Sequence, residues 1–304
     1  MKKSINKILL GLVLIVFTSC VNDTEKKVSK PKIMSKQASL SASNKNLNIS
    51  FLLDLSDRID PIKYPNESME YYLRDVAYIK SVSDAFDTHL RRKKIRGMND
   101  KIQLYFDPEP RNQNINTISK GLKYNINRSN VTLELLDKLK ESYALKPKEI
   151  YDLAIIDNNY VGSDTWRFFK TKVNDYCVEE NYRNILVVLT DGYIYHENTK
   201  IKEGNLTTYL TPKVIRGFKL NNKDWKNKLV EEQFGFIPAT DDLSNLEILV
   251  LGLNPDNKNP YEQEVIVKYW KDWFEAMKVK RYDVKTAELP SNMDKIIKDF
   301  ILNN

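Results

Sequence analysis

Hydrophobic and polar positions alternate along this chain in two distinct rhythms. Short, nearly unbroken apolar runs mark strands buried on both faces: 48–55 around Phe51-Leu52-Leu53, 184–190 around Ile185-Leu186-Val187-Val188-Leu189, and 246–253. Residues 101–106, 121–127 and 281–285 read as three further strands. Between them the apolar positions recur at helical spacing. Tyr71, Val76, Ile79, Val82, Phe86 and Leu90 predict a helix over 67–92. Further helices are predicted over 131–143 (cap Ser129 or Asn130), 164–178 (cap Ser163 or Asp164), 262–277 and 293–302. No helix is expected between 101–106 and 121–127, so these two read as a hairpin joined by a long polar loop. The pattern predicts an α/β fold: a doubly wound, mostly parallel six-stranded sheet with an antiparallel edge strand and helices on both faces. In the order 3-2-1-4-5-6, the first and fourth strands are neighbours at the switch point, beyond whose carboxyl ends ligands bind.

Those two strands are the ones that end in acids. The first runs into Asp54-Leu55-Ser56-Asp57-Arg58 and the fourth into Thr190-Asp191-Gly192. An unpaired charge leaving water costs several kcal/mol, so an acid closing a buried strand is paired, open to solvent or holding a cation. If the two strands are adjacent, Asp54 and Asp191 face each other and need a positive charge. Arg58 supplies one by folding back onto both; pointing outward, it would meet a ligand instead.

The start of the chain changes the picture of its location. Lys2, Lys3 and Lys7 precede the apolar run Ile8 to Phe17 and then Thr18-Ser19-Cys20, the layout of a secretory signal over 1–19. Phe17-Thr18-Ser19-Cys20 resembles the lipobox of bacterial lipoproteins, which implies lipid attachment at Cys20 and a bacterial envelope location at the outer membrane. Val21 follows, so the aspartate linked to inner-membrane retention is absent. Residues 20–46 are rich in Lys, Ser and Asn and read as a tether; residues 47–304 read as one domain. Removing the three signal lysines takes the formal net charge from +7 to +4, which gives no reason to expect nucleic acid. With Cys20 acylated, Cys177 has no partner for a disulfide and reads as a buried structural thiol.

Asp54-Leu55-Ser56-Asp57-Arg58 resembles the Asp-x-Ser-x-Ser opening of von Willebrand factor A domains, and Leu189-Thr190-Asp191-Gly192 resembles their fourth-strand motif. The resemblance covers 48–304 in element order and is tight at about ten residues. It implies a metal-ion-dependent adhesion site holding Mg²⁺ or Mn²⁺ through Asp54, Ser56 and Asp191, with a protein ligand presenting an acidic group to the ion. Such hard cations take oxygen ligands in near-octahedral geometry. Thr165 is the candidate for the middle-loop threonine, with Asp164 or Ser163 as substitutes; Ser163 and Asp164 read equally as helix caps. Arg58 stands where the family has its second serine, so it modulates the metal site or contacts the ligand.

Common catalytic signatures are missing: no Gly-x-Ser-x-Gly, His-Glu-x-x-His, Gly-x-Gly-x-x-Gly or P-loop occurs. His89 reads as a surface residue in a basic helix end, and His196 as a loop residue near the rim of the site. The expected function is therefore protein binding at the envelope, without catalysis. A metal-independent structural subunit of an envelope complex and a Mg²⁺-dependent phosphoesterase are the alternatives. The long segment 193–242 reads as an insertion that carries specificity, or as a satellite core around Trp225, Phe234 and Phe236.

Overall fold

A computed structural model describes residues 45–160 and 162–303. The signal segment, Cys20 and nearly all of the tether lie outside the described residues. In chain order the elements are β1 (Asn46–Leu53), α1 (Tyr71–Arg92), β2 (Asn99–Tyr105), α2 (Gln113–Gly121), β3 (Tyr124–Asn127) and α3 (Leu133–Asp157). Next come α4 (Thr165–Thr171), α5 (Val173–Cys177), β4 (Tyr182–Leu189), β5 (Lys202–Glu203), β6 (Leu206–Thr207), α6 (Pro212–Gly217) and α7 (Trp225–Glu231). The chain closes with β7 (Gly235–Phe236), β8 (Leu246–Leu253), α8 (Glu262–Ala276), β9 (Arg281–Thr286) and α9 (Pro290–Leu302).

The main sheet has the order β3-β2-β1-β4-β8-β9, which is the expected one. Only β3 runs antiparallel, against β2; β1 pairs in parallel with both β2 and β4. Alternation within the strands divides the core, because successive side chains point to opposite faces. Ile49, Phe51, Leu53, Ile185, Val187, Leu189, Leu249 and Leu251 pack under α1, α3 and α9. Leu52, Leu186, Val188, Ile248 and Val250 pack on the other face against Phe168, Phe169, Trp270 and Trp273. The apolar strands are continuous because both faces are covered.

Several local expectations change. A helix, α2, does lie between β2 and β3; only Ile115 and Asn116 of it are buried, too weak a stripe to reveal a helix by pattern. Helix α3 runs far past Tyr143, carries Pro147 inside it, and is capped by the Thr132 side chain, which accepts from Leu135 N–H at 3.1 Å. The expected helix 164–178 divides at Lys172 into α4 and α5. The segment 193–242 forms a small sheet, β5-β6-β7, with α6 and α7, and buries Trp225 and Phe236 in the second core. Phe234 stacks on Phe218 at 4.2 Å.

His89 is buried, not on the surface: Asp100 receives its Nε2 at 3.0 Å and Lys93 Nζ at 2.6 Å. Arg91 of the same basic run is held by Asp87 and Asp137. Cys177 is buried, and burial pushes its thiol up to about 12. No helix among the described residues is long and apolar enough to cross a membrane.

Candidate functional site

Parallel pairing brings the two acid-ended strands side by side: Leu53 of β1 is in register with Leu189 of β4, and Asp54 N–H donates to Leu189 O at 3.0 Å. Asp54 and Thr190 leave the sheet together. Thr190 Oγ1 donates to Asp54 Oδ2 at 3.1 Å, and Ser56 N–H donates to Asp54 Oδ1 at 2.8 Å. The turn beyond depends on Gly192, with φ of +96°. A Cβ there would lie 2.7 Å from Ile266 and 2.9 Å from Leu253, so any larger residue would push the fourth-strand motif off α8. Asp191 follows half-buried, one oxygen accepting the Tyr193 N–H at 3.0 Å.

Arg58 folds inward, yet it does not bridge Asp54 and Asp191. Its Nη2 donates to Asp75 Oδ2 at 2.6 Å and to Leu189 O at 3.0 Å; its Nε donates to Asp54 O at 3.1 Å and lies 3.6 Å from Asp54 Oδ2. Tyr151 of α3 donates its hydroxyl to the same Asp75 oxygen at 3.0 Å. Burial pulls the Arg58 guanidinium down, but Asp75 and Asp54 more than reverse this, so it stays charged. Burial raises Asp75, against the opposing pull of Arg58 and Tyr151. Asp191 is pushed up to about 7, first by burial and then by the charge of Asp54, with Arg58 opposing.

Asp75 and Tyr151 were missed in the sequence. A signal existed for Asp75. It lies four residues before Ile79 and seven before Val82, a carboxylate on the apolar face of α1. Gly252, with φ of +98°, lets β8 pass close by; a Cβ there would be 3.2 Å from Asp75 Oδ1 and 3.1 Å from Thr190 O.

Asp54, Ser56, Arg58, Ser163 and Asp191 all line one cavity of about 1000 Å³ at the carboxyl end of the sheet. Thr165 and Asp164 do not line it. Thr165 is buried, its hydroxyl 3.1 Å from that of Ser163. Asp164 caps α4 by accepting from Arg167 N–H at 3.1 Å, and its other oxygen accepts from Thr199 Oγ1 at 2.9 Å. His196 Nδ1 lies 3.3 Å from Asp164, outside the lining. Of the candidates Ser163, Asp164 and Thr165, Ser163 is the one that lines the cavity, beside Gly162.

The donor set does not fit a resident Mg²⁺ or Mn²⁺. The guanidinium of Arg58 already supplies the positive charge beside Asp54, and both Asp54 oxygens accept hydrogen bonds. Two unit charges about 4 Å apart repel by roughly 4 kcal/mol at an effective dielectric near 20, and a divalent ion doubles that. The arginine stands beside Asp54 where the expected ligand set of Asp54, Ser56, Thr165 and Asp191 would need room for an ion, and Thr165 lies away from the opening.

No family model matches the chain, and no curated protein matches its sequence. Among solved structures, similarity extends to an aerotolerance-related membrane protein from Bacteroides fragilis, at 11% identity and a TM-score of 0.35, covering 84% of this chain and 98% of that one. It extends also to the pilus adhesin SpaC from Lactobacillus rhamnosus GG, at 10% identity and a TM-score of 0.36, covering 84% of this chain and 30% of that one. A mutant of the PilB minor pilin from Streptococcus sanguinis is similar at 13% identity and a TM-score of 0.40, covering 85% of this chain and 62% of that one. The chain thus spans less than a third of the adhesin and less than two thirds of the pilin. At these scores none of the three fixes a function for this chain.

Proposed function

We propose that this is a lipid-anchored bacterial envelope protein whose α/β domain docks another protein at the cavity beyond β1 and β4, without a resident metal. The carrying observation is the rim. Tyr64 and Tyr195, which line the cavity, are each 43% exposed, and Ile62, next in the chain to the lining Lys63, is 89% exposed. Large apolar side chains gathered in water around a cleft mark a surface that becomes covered. Loops on a rigid sheet are the usual carriers of such contacts.

Binding is favoured over catalysis by what surrounds the acids. Asp54 is held by Arg58, Thr190 and the Ser56 backbone, and neither His89 nor His196 reaches the cavity to serve Ser56 as a base. Anchoring rests on Phe17-Thr18-Ser19-Cys20; stable attachment takes more than one acyl chain.

Partner capture from envelope membranes by the full chain tests docking. Ile62→Asp should abolish capture while leaving the thermal transition in place; unchanged capture would remove the docking reading. Fatty-acid labelling should mark the wild type and not Cys20→Ser, and equal labelling of both would remove the anchor.

A further inference from the structure

The charge of the cavity is the reverse of what a metal-bearing site would offer. Four aspartates line it, Asp54, Asp57, Asp191 and Asp256, against Arg58 and Lys63. Both cations are committed: Arg58 to Asp75 at 2.6 Å behind the wall, Lys63 to Asp57 at 2.7 Å. Asp256 lies 3.3 Å from Arg216, and Asp54 lies 3.6 Å from Arg58. Asp191 differs from the other three: among the described residues it has no basic side chain in reach, and its second carboxylate oxygen has no hydrogen-bond partner.

The walls add aromatic faces. Tyr64, Tyr160 and Tyr193 line the same cavity, and the face of an aromatic ring attracts a cation through its quadrupole. Two other lining rings already carry cations of this chain: Arg74 sits 5.0 Å from the Tyr71 centroid and Lys200 sits 5.8 Å from that of Tyr195.

Resting on the docking reading above, we propose that the cavity receives a lysine or arginine side chain of the protein partner. The cation pairs with the open oxygen of Asp191 and lies among the tyrosine rings, while the residues flanking it on the partner cover Ile62 and Tyr64. The apolar rim is what selects a protein over a small cation, because a free amine would leave it exposed. The acid-bearing ligand expected from the resemblance needed a metal to meet it; with Arg58 buried against Asp75, the charge left facing outward is negative.

The test uses the full chain in detergent and fluorescent nonapeptides that differ only at a central Arg, Lys, Gln or Glu, flanked by Leu and Tyr. Anisotropy titrations should give Arg and Lys peptides affinities at least tenfold above the Glu peptide. Asp191→Asn should shrink that preference below threefold, and Asp191→Glu should retain it, both with an intact thermal transition. A preference for Glu, binding blind to the central charge, no binding of any of the four, or a preference untouched by Asp191→Asn would each overturn the cationic occupant. Partner capture separates the two claims. Loss in Ile62→Asp with capture kept in Asp191→Asn would leave docking standing and remove the cation; capture unaffected by Ile62→Asp would remove docking itself.

Discussion

Two buried arginines sit at opposite ends of the same sheet, and their surroundings differ in kind. Arg183, at the start of β4, is 5% exposed and meets Glu247 through Nε at 3.1 Å and Nη2 at 2.9 Å. It also donates to the carbonyls of Phe300, Ile301 and Asn303, at 2.7, 2.5 and 3.2 Å, closing the end of α9. Lys280 and Arg281 reach Glu247 as well, at 3.1 and 2.8 Å. Burial alone would raise Glu247, yet these partners hold it below its ordinary value. Arg58, equally buried, is divided between Asp75 and Asp54 and does not pair with Asp191, and Asp75 and Asp191 are both raised. One end has more cation than its acid needs and behaves as a fastening. The other has less, and that deficit is what a partner can fill.

The largest expected effect breaks the cavity end. Arg58→Met leaves Asp75 buried with only the Tyr151 hydroxyl, and stripping one member from a buried pair costs about 3–5 kcal/mol. Urea unfolding should show this loss; a change below about 1 kcal/mol would mean that Asp75 is satisfied by something else.

Next comes pH. Asp191 has an ordinary value of 3.8 and a folded value of about 7. Between these values the unfolded chain has released the proton and the folded chain keeps it, so stability falls as pH climbs through the window and is level above it. At about 1.4 kcal/mol per pH unit the full effect is roughly 4 kcal/mol. Asp191→Asn should lack this slope, gaining on the wild type by about 2–4 kcal/mol between pH 4.5 and pH 8. Parallel profiles for the two proteins would show that Asp191 ionises normally.

Arg183→Met sharpens the contrast from the other end. Lys280 and Arg281 still neutralise Glu247, so the cost should be about 2 kcal/mol, mainly for the carbonyls of α9. Denaturation of Arg183→Met and Arg58→Met side by side checks the order; a larger loss at Arg183 would invert the comparison.

The smallest effect is that of metal. Mg²⁺ at 10 mM should leave the wild-type thermal midpoint within about 1 °C, because an ion that gains nothing from the native state cannot stabilise it. In Arg58→Ser, where Asp54 and Asp75 lose the cation they share and Asp191 stays without one, the same addition should raise the midpoint by several degrees. A comparable rise in the wild type would reinstate the ion.

The sheet was legible because both its faces are covered, which turns β1, β4 and β8 into apolar runs that no exposed element would carry. The meeting of Asp54 with the Thr190-Asp191 turn was legible for the same reason: acids closing such runs stand out, and strand order brings them together. What Arg58 does was not. Its partner Asp75 lies 17 residues away on a helix, and choosing it over Asp191 depends on how α1 lies across the sheet. Helix α2 escaped because it buries so little, and His89 because its carboxylate belongs to another element, β2. Between the middle-loop candidates the sequence could not choose: Thr165 and Ser163 share a hydrogen bond, but of the two only the serine reaches the opening.

The central place of β1 has a mechanical consequence. The strand begins at Asn46, on the side where the chain enters the domain, and ends at Leu53 beside the cavity. Eight residues at about 3.3 Å each separate the two points by roughly 26 Å. Tension between the entering chain and a partner seated at the cavity would therefore act along the strand axis. The ladders to β2 and β4 lie parallel to that pull on both sides. They would be loaded in shear, many hydrogen bonds sharing the force at once, rather than unzipped one at a time as at a free sheet edge.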